Sequence, residues 1–353
     1  MESITSFSAQ IHFNYLGYEA LEYQLKTSNY SSIFILVDEN TKEHCLPKFL
    51  GSVGGSYNFE VVEIESGEIN KNITSCIQVW EALSAKGADR QSLLINLGGG
   101  VITDLGGFVA STFRRGIDFI NIPTSLLAMV DASVGGKTGV DMGMLKNQIG
   151  VINQPKMVLI IPKFLNTLDE RQLHSGFAEM LKHGLITSEP FWRILRLVNS
   201  VDQLEDHIYE SIVIKNEIVR QDPREKSLRK ILNFGHTLGH AIESYFLDNP
   251  ERETLLHGEA IAIGMILEAF LSHQQTGLGI NQLEDIKITL LKHFDKVDFN
   301  DDDIHAIIDL LKFDKKNSHG SVFFVLLKRI GDAQIDNRVP DDILSQAFSY
   351  YKD

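Results

Sequence analysis

The chain of 353 residues carries 43% hydrophobic and 23% charged residues, which fits a folded protein and excludes a disordered one. Its length exceeds one ordinary core and implies two domains. The formal net charge of −14 argues against a nucleic-acid partner, which needs a broad basic face, but allows a small anion held by a local cluster of lysines and arginines.

The opening segment "MESITSFSAQIHFNYLG" lacks the basic-then-apolar order of a signal peptide. No run approaches the ~18 apolar residues of a membrane span, so no membrane partner is expected. Five β-rich apolar runs follow, at 32–38, 59–64, 92–100, 117–123 and 156–162. Between them lie helical patterns, such as 70–86 with Ile73, Ile77, Trp80 and Leu83 on one face. This alternation implies an α/β domain with a mostly parallel open sheet covered on both sides. Cys45 and Cys76, the two cysteines, stand in unrelated contexts. They support neither a disulfide framework nor a thiolate metal site, and a cytoplasmic location is expected.

After Pro162 the pattern turns helical, at 167–186, 190–199, 203–221, 227–246, 257–276, 283–293 and 301–312. "SVFFVLL" (321–327) is a β-like exception. The expected organisation is an α/β domain over 1–163 and a mainly α-helical domain, all-α in class, over 164–353. A cleft between two closely packed halves is where a ligand site is favoured.

Within the first half, "INLGGGVITDLGGFVAS" reads as a strand, a triple glycine and a helix. Gly98, Gly99 and Gly100 let the backbone approach a ligand, and the helix start offers N–H groups suited to a pyrophosphate. The spacing departs from G-x-G-x-x-G, so the ordinary dinucleotide fingerprint is absent. Asp38, at the end of the first clear strand, reads as a ribose acceptor or a helix cap. "DASVGGKTG" ends like a phosphate-binding P-loop, yet Asp131 stands where that motif needs its first glycine. An NTPase is rejected. Lys137, with Lys146 and Asn147 in "LKNQIG", remains a candidate anion partner.

In the second half, "LNFGHTLGHAIE" places His236 and His240 four residues apart, on one helix face at metal-ligand spacing. Paired helical histidines are also often merely solvated. Asn233, His236, His240 and Glu243 recur at steps of three or four. His257 opens the apolar stretch "HGEAIAIGMILEAF", and Glu179, Lys182 and His183 interrupt "SGFAEMLKHG". Polar groups in such apolar runs need partners, and a cation bound by Glu and His supplies them. Two His and one Glu with no thiolate suit Zn²⁺ with one open position, Co²⁺ being the alternative. Lys215, after Ile212-Val213-Ile214, and Arg229, four residues before Asn233, add cations.

At these residues the chain resembles the 3-dehydroquinate synthase family. The carrying stretches are "NLGGGVITDLGGFVAS", "RRGIDFINIPTSLLAMVDASVGGKTGVD", "KNQIG", "SGFAEMLKHGLI", "NFGHTLGHAIE", "LHGEAIAIGM" and "DKK", in family order. The resemblance implies an NAD⁺- and Zn²⁺-dependent cyclase of the shikimate pathway. Its substrate is a small anionic sugar phosphate, 3-deoxy-D-arabino-heptulosonate 7-phosphate, and it forms a homodimer. By resemblance, Glu179, His236 and His257 hold the metal, and His240 is an acid–base or positioning residue. Asp38, Asn40, Glu68, Lys71, Gly99, Gly100, Val101, Asp104, Thr124, Ser125, Lys146, Thr167 and Leu168 match NAD positions. Arg115, Asp131, Lys137, Asn147, Lys182, Lys215, Arg229, Asn233 and one of Lys315 or Lys316 match substrate positions. Thr103 departs from a usual glycine, and Ser125 from a common Thr. Competing readings are another sugar-phosphate cyclase, such as a 2-deoxy-scyllo-inosose or 2-epi-5-epi-valiolone synthase, and a metal-dependent polyol dehydrogenase. Asn233 and His240 argue against the valiolone-forming enzyme, and the phosphate-type cations against the dehydrogenase.

Overall fold

The computed structural model describes every residue except 56, 144, 201–202 and 312–321. Lys315 and Lys316 lie outside the described residues. The chain divides into two compact units, Met1–Asp169 with Ile208–Asn216, and Glu170–His207 with Glu217–Asp353.

The first unit runs in order β1 (Ile4–Ser6), β2 (Ala9–Phe13), α1 (Asn14–Thr27), β3 (Ile33–Asp38), α2 (Glu39–His44) and α3 (Leu46–Ser52). Then come β4 (Phe59–Ile64), α4 (Ile73–Ala85), β5 (Leu93–Gly98), α5 (Gly100–Thr112), β6 (Asp118–Pro123), β7 (Lys137–Met142), β8 (Leu145–Ile152) and β9 (Met157–Ile160). Seven strands form one sheet in the order β1-β2-β9-β6-β5-β3-β4. Every pairing in it is parallel except that of β1 with β2. The five apolar runs form the consecutive block β9-β6-β5-β3-β4, with β4 at one edge of the sheet. β3 and β5 are buried along nearly their whole length and mostly apolar, as strands of a parallel sheet covered on both faces are. The edge pair β1 and β2 has no such run and escapes the pattern. β7 and β8 make a separate antiparallel hairpin.

Helix α4 is rotated relative to the expected face, of which Leu83 is buried and Trp80 packs against the core. Cys76, Val79 and Leu83 enter the core with Phe34, Val62 and Leu94, while Ile73 and Ile77 are exposed. Both stripes obey helical spacing, and the sheet accepts the one containing the smaller Cys76 and Val79. Trp80 straddles the boundary and donates its indole N–H to the Val109 carbonyl at 3.2 Å.

The second unit is helical: α6 (Glu170–Thr187), α7 (Glu189–Leu195), α9 (His236–Asp248), α10 (His257–Gln275), α11 (Ile280–His293), α12 (Asp301–Leu310) and α13 (Asp341–Lys352). Helix α8 (Glu205–Gln221) precedes α9 and contributes Ile208–Asn216 to the first unit. The unit is not all helix. The β-like stretch forms β10 (Phe324–Arg329), which pairs with β11 (Asp332–Asn337) across a tight turn at Gly331. Helix α10 is apolar on nearly every side and almost wholly buried, as such helices must be. The helix expected over 227–246 is broken: a 3₁₀ turn covers Leu228–Asn233, and α9 begins at His236. Gly235 lies between them at φ +78, where a Cβ would also come within 2.4 Å of Met265. Among the described residues no helix is long and apolar enough to cross a membrane.

Candidate functional site

In the first unit, the sheet order reverses between β3 and β5, since the chain runs outward from β3 to β4 and from β5 to β6 on the other side. The carboxyl ends of strands at such a point form a ligand crevice in open α/β sheets. Asp38 ends β3, and its Oδ1 accepts bonds from the Thr41 N–H at 2.7 Å and hydroxyl at 2.8 Å, capping α2. Asn40 is exposed on that helix. Gly98 ends β5, and Gly99 leads into α5, whose first residues are Gly100 and Val101. Thr124 follows β6 and donates its N–H to the Gly98 carbonyl at 3.0 Å, which sets Thr124 and Ser125 beside the glycine turn. The Thr167 hydroxyl lies 3.6 Å from Cys45 Sγ, with Leu168 next to it.

Beside this crevice is a network of paired charges. Lys71 Nζ lies 2.7 Å from Asp104 and donates to Asn147 Oδ1 at 2.7 Å. Lys146 donates to Glu68 at 3.0 Å. Burial acts to depress the Lys71 ammonium, but Asp104, Glu68 and Asp141 outweigh it and hold its pKa well above the ordinary lysine range. Burial raises the Asp104 carboxyl, against the pull of Lys71. Five expected site residues thus meet in one place. Elsewhere in this unit, Lys215 donates to the Asp131 side chain at 2.6 Å and to its carbonyl. Lys137 opens strand β7 at an exposed position, where a P-loop lysine would open a helix. Arg115 is exposed, at φ +73.

The second unit gathers a histidine cluster. Glu179 is fully buried on α6, and His236 opens α9. His257 opens α10, whose next residue, Gly258, fits against α6 where a Cβ would come within 2.1 Å of the Ser175 carbonyl. The Gly258 N–H donates to Ser175 Oγ at 2.9 Å, which sets the start of α10 against α6. His236 Nδ1 donates to the Phe234 carbonyl at 3.1 Å, and its Nε2 lies 3.4 Å from Glu179 Oε1. His257 repeats the arrangement: Nδ1 faces Glu243 at 3.3 Å, and Nε2 lies 3.6 Å from the same Oε1. Lys182, also buried, donates to the other oxygen of Glu179. Burial would depress the His257 imidazole, yet Glu243 and Glu179 outweigh it and push it up to about 10. The place favours positive charge.

Donor atoms about 2.0–2.2 Å from one tetrahedral ion stand roughly 3.3–3.6 Å apart. The separations of 3.4 and 3.6 Å fit that geometry. Metal-binding histidines also present one nitrogen while a carbonyl or carboxylate fixes the other, as both rings do here. His240 belongs to the same cluster, its ring centroid 5.0 Å from that of His236 and 5.8 Å from that of His257. Donor atoms of these three histidines lie within 4.8 Å of one another.

Arg229 is buried, its Nη1 donating to the Pro223 carbonyl at 2.9 Å. Asp222 organises that loop by accepting the N–H groups of Lys226, Ser227 and Arg229. Asn233 donates to Glu225 at 2.9 Å.

Sequence reasoning missed several supports of these groups. In the sequence Glu243 stands out only as part of a polar helix face. Glu268, fully buried on α10, accepts the N–H groups of Gly235, Thr237 and Leu238 at 2.7, 3.1 and 3.2 Å. It caps the helix that begins with His236 and ties it to the helix that begins with His257. Its signal is present in the sequence, as a carboxylate midway along an apolar helix that must find donors.

Comparison with known proteins followed the same lines. The family description "3-dehydroquinate synthase N-terminal" matches residues 61–175, and "3-dehydroquinate synthase C-terminal" matches 176–317. A 3-dehydroquinate synthase of Parabacteroides distasonis is 40% identical over 333 residues, covering 93% of this chain and 94% of that protein. A 2-epi-5-epi-valiolone synthase of Streptomyces hygroscopicus subsp. jinggangensis, solved with NAD⁺ and Zn²⁺ bound, superposes with a TM-score of 0.86 at 27% identity, covering 100% and 99% of the two chains. A 2-deoxy-scyllo-inosose synthase, solved with carbaglucose-6-phosphate, NAD⁺ and Co²⁺, gives a TM-score of 0.83 at 23% identity over 99% of each chain. The last likeness bears on fold alone.

Proposed function

The chain belongs to the 3-dehydroquinate synthase family, and from that premise we propose that it converts 3-deoxy-D-arabino-heptulosonate 7-phosphate to 3-dehydroquinate and phosphate. NAD⁺ is required and regenerated in each turnover, and a divalent ion, Zn²⁺ or Co²⁺, is held by Glu179, His236 and His257. The observation that carries this reading is the convergence of two oriented imidazole nitrogens on Glu179 Oε1. A tetrahedral ion held by these three residues would have one position left for substrate.

A bound divalent ion would supply Lewis-acid activation of a sugar hydroxyl, and bound NAD⁺ would supply reversible hydride chemistry. The chain's own residues do the rest. The glycine turn and the Asp38 strand end hold the cofactor, with Val101, Thr124, Ser125, Thr167 and Leu168 lining its path. Glu68, Lys71, Asp104 and Lys146 orient it from the paired network. Lys137, Arg115 and Arg229 hold the phosphate and carboxylate of the substrate, with Lys182 and Lys215 as further cations. Asn233, Asn147 and Asp131 position hydroxyls. His240, beside the metal-binding rings, moves a proton at a substrate hydroxyl. The family resemblance supports a homodimer, whose size light scattering tests, and the two unpaired cysteines support a cytoplasmic location.

The deciding assay follows phosphate and NADH together. Phosphate release should continue for many turnovers on a trace of NAD⁺, without steady NADH accumulation. Stoichiometric NADH would replace the cyclase with a polyol dehydrogenase.

A further inference from the structure

We propose that Asp141 is a positioning residue that ties the cofactor side of the first unit to its substrate side. The claim rests on the assignment of Lys71 and Lys146 to NAD⁺ and of Asn147 to the sugar phosphate.

Asp141 is 8% exposed, near the end of β7. The β7–β8 ladder shifts register between Val140 and Met142, so the strand is re-aimed at this residue. Its N–H donates to the Lys71 carbonyl at 2.9 Å. Oδ1 accepts the Asn147 N–H at 2.5 Å, and Oδ2 lies 3.6 Å from the Lys146 ammonium. Asn147 adopts φ +50, a left-handed conformation that surrounding contacts must hold. So turned, Asn147 presents Oδ1 to Lys71 Nζ at 2.7 Å. The bonds form a closed circuit: Asp141 holds the Asn147 backbone, Asn147 holds the Lys71 ammonium, and the Lys71 carbonyl holds Asp141. Lys71 carries the circuit on to Asp104 on α5 at 2.7 Å. Burial keeps the Asp141 carboxyl above the ordinary aspartate range, against Lys71, Asn147 and Lys146. A carboxylate placed at that cost does more than terminate a hairpin.

The two oxygens act by different means. Oδ1 works through a hydrogen bond, which an amide oxygen can replace. Oδ2 works through charge on Lys146, which an amide cannot. The test is steady-state kinetics of Asp141→Leu and Asp141→Asn, with a melting curve of each to establish folding. The leucine variant should raise KM for both NAD⁺ and the sugar phosphate about tenfold, as loss of a charge-assisted bond implies, with kcat less affected. The asparagine variant should return the sugar-phosphate KM to within about threefold of wild type while the NAD⁺ KM stays raised. A folded leucine variant with either KM unchanged overturns the shared role. An asparagine variant no better than leucine toward sugar phosphate overturns the hydrogen-bond route. If leucine does not fold, asparagine decides: a rise confined to NAD⁺ supports the proposal, and any other pattern overturns it. Wild-type protein that releases no phosphate in the same assay instead removes the function proposed above. NAD⁺ binding by calorimetry would then decide alone: affinity weakened in the asparagine variant supports Asp141, and unchanged affinity overturns it.

Discussion

The candidate site clusters of the two units handle charge in opposite ways. In the first, cations and carboxylates are matched in pairs: Lys71 with Asp104 at 2.7 Å, Lys146 with Glu68 at 3.0 Å, Lys215 with Asp131 at 2.6 Å. In the second, acceptors converge. Two imidazole nitrogens face Glu179 Oε1, Glu243 stands behind one ring, and Lys182 takes only the other oxygen of Glu179. A network whose cations are already paired from within holds its shape before any ligand arrives and selects by orientation. A set of converging lone pairs is completed by a cation. The units should therefore respond differently to substitution, one through geometry and stability, the other through metal.

The largest effect is expected in the convergent set. Glu179→Gln, His236→Ala and His257→Ala should each abolish turnover and purify without stoichiometric metal. Elemental analysis checks this, and full occupancy with full activity in any one variant removes that residue from the set. His240→Ala sharpens the contrast inside the cluster. It should retain metal and slow turnover by about 10²–10⁴-fold, the usual range for lost acid–base help. A metal-free His240 variant would make His240 a ligand alongside His236 and overturn its assignment as an acid–base residue.

That distinction shows how far the sequence could be read. Helical spacing reveals neighbours on one helix, so it pointed to His236 with His240. Glu179 and His257 come from α6 and α10; their place in apolar runs marks them as candidates for the same cation, but only the family resemblance fixes the trio with His236 and sets His240 apart. The strand–glycine–helix turn was legible because its signals are local. The buried face of α4 was not, because two stripes satisfied the same period and the sheet chose between them. The break before α9 was hidden for a similar reason, since a glycine within a helical pattern shows its left-handed backbone only in the fold. Asp141 was invisible because its role depends on Lys71, a residue distant in the chain.

The paired unit should break through stability. Lys71→Met leaves Asp104 facing no ammonium in a largely buried site, and removing one member of a buried pair costs about 3–5 kcal/mol. Asp104 keeps some solvent, so the lower end, about 3 kcal/mol, is expected in denaturant unfolding. Adding Asp104→Asn should recover much of the loss. A double variant no more stable than the single would show that the pair is not the source. In the convergent unit, Glu243→Gln should fold normally but weaken metal binding by about 10–100-fold in chelator competition, because it orients His257 without being assigned as a ligand.

The smallest expected effect is a pH dependence that separates the metal-free protein from the loaded one. Without metal, Glu243 and Glu179 overcome burial and raise the His257 imidazole from 6.5 to about 10. A group whose pKa rises on folding stabilises the fold fully below its unfolded value and loses that contribution as pH climbs through the folded value. Chelated protein should therefore lose stability between about pH 6.5 and 10 from this residue. With metal bound, His257 is a neutral ligand and this contribution is absent. His257 retains some exposure, so the difference should be modest, on the order of 2–4 °C in melting temperature. Melting curves of both forms across that range give the readout. Parallel pH profiles would mean that the carboxylates do not hold a proton on His257 when the metal is gone, and that the convergent cluster relaxes apart without its ion.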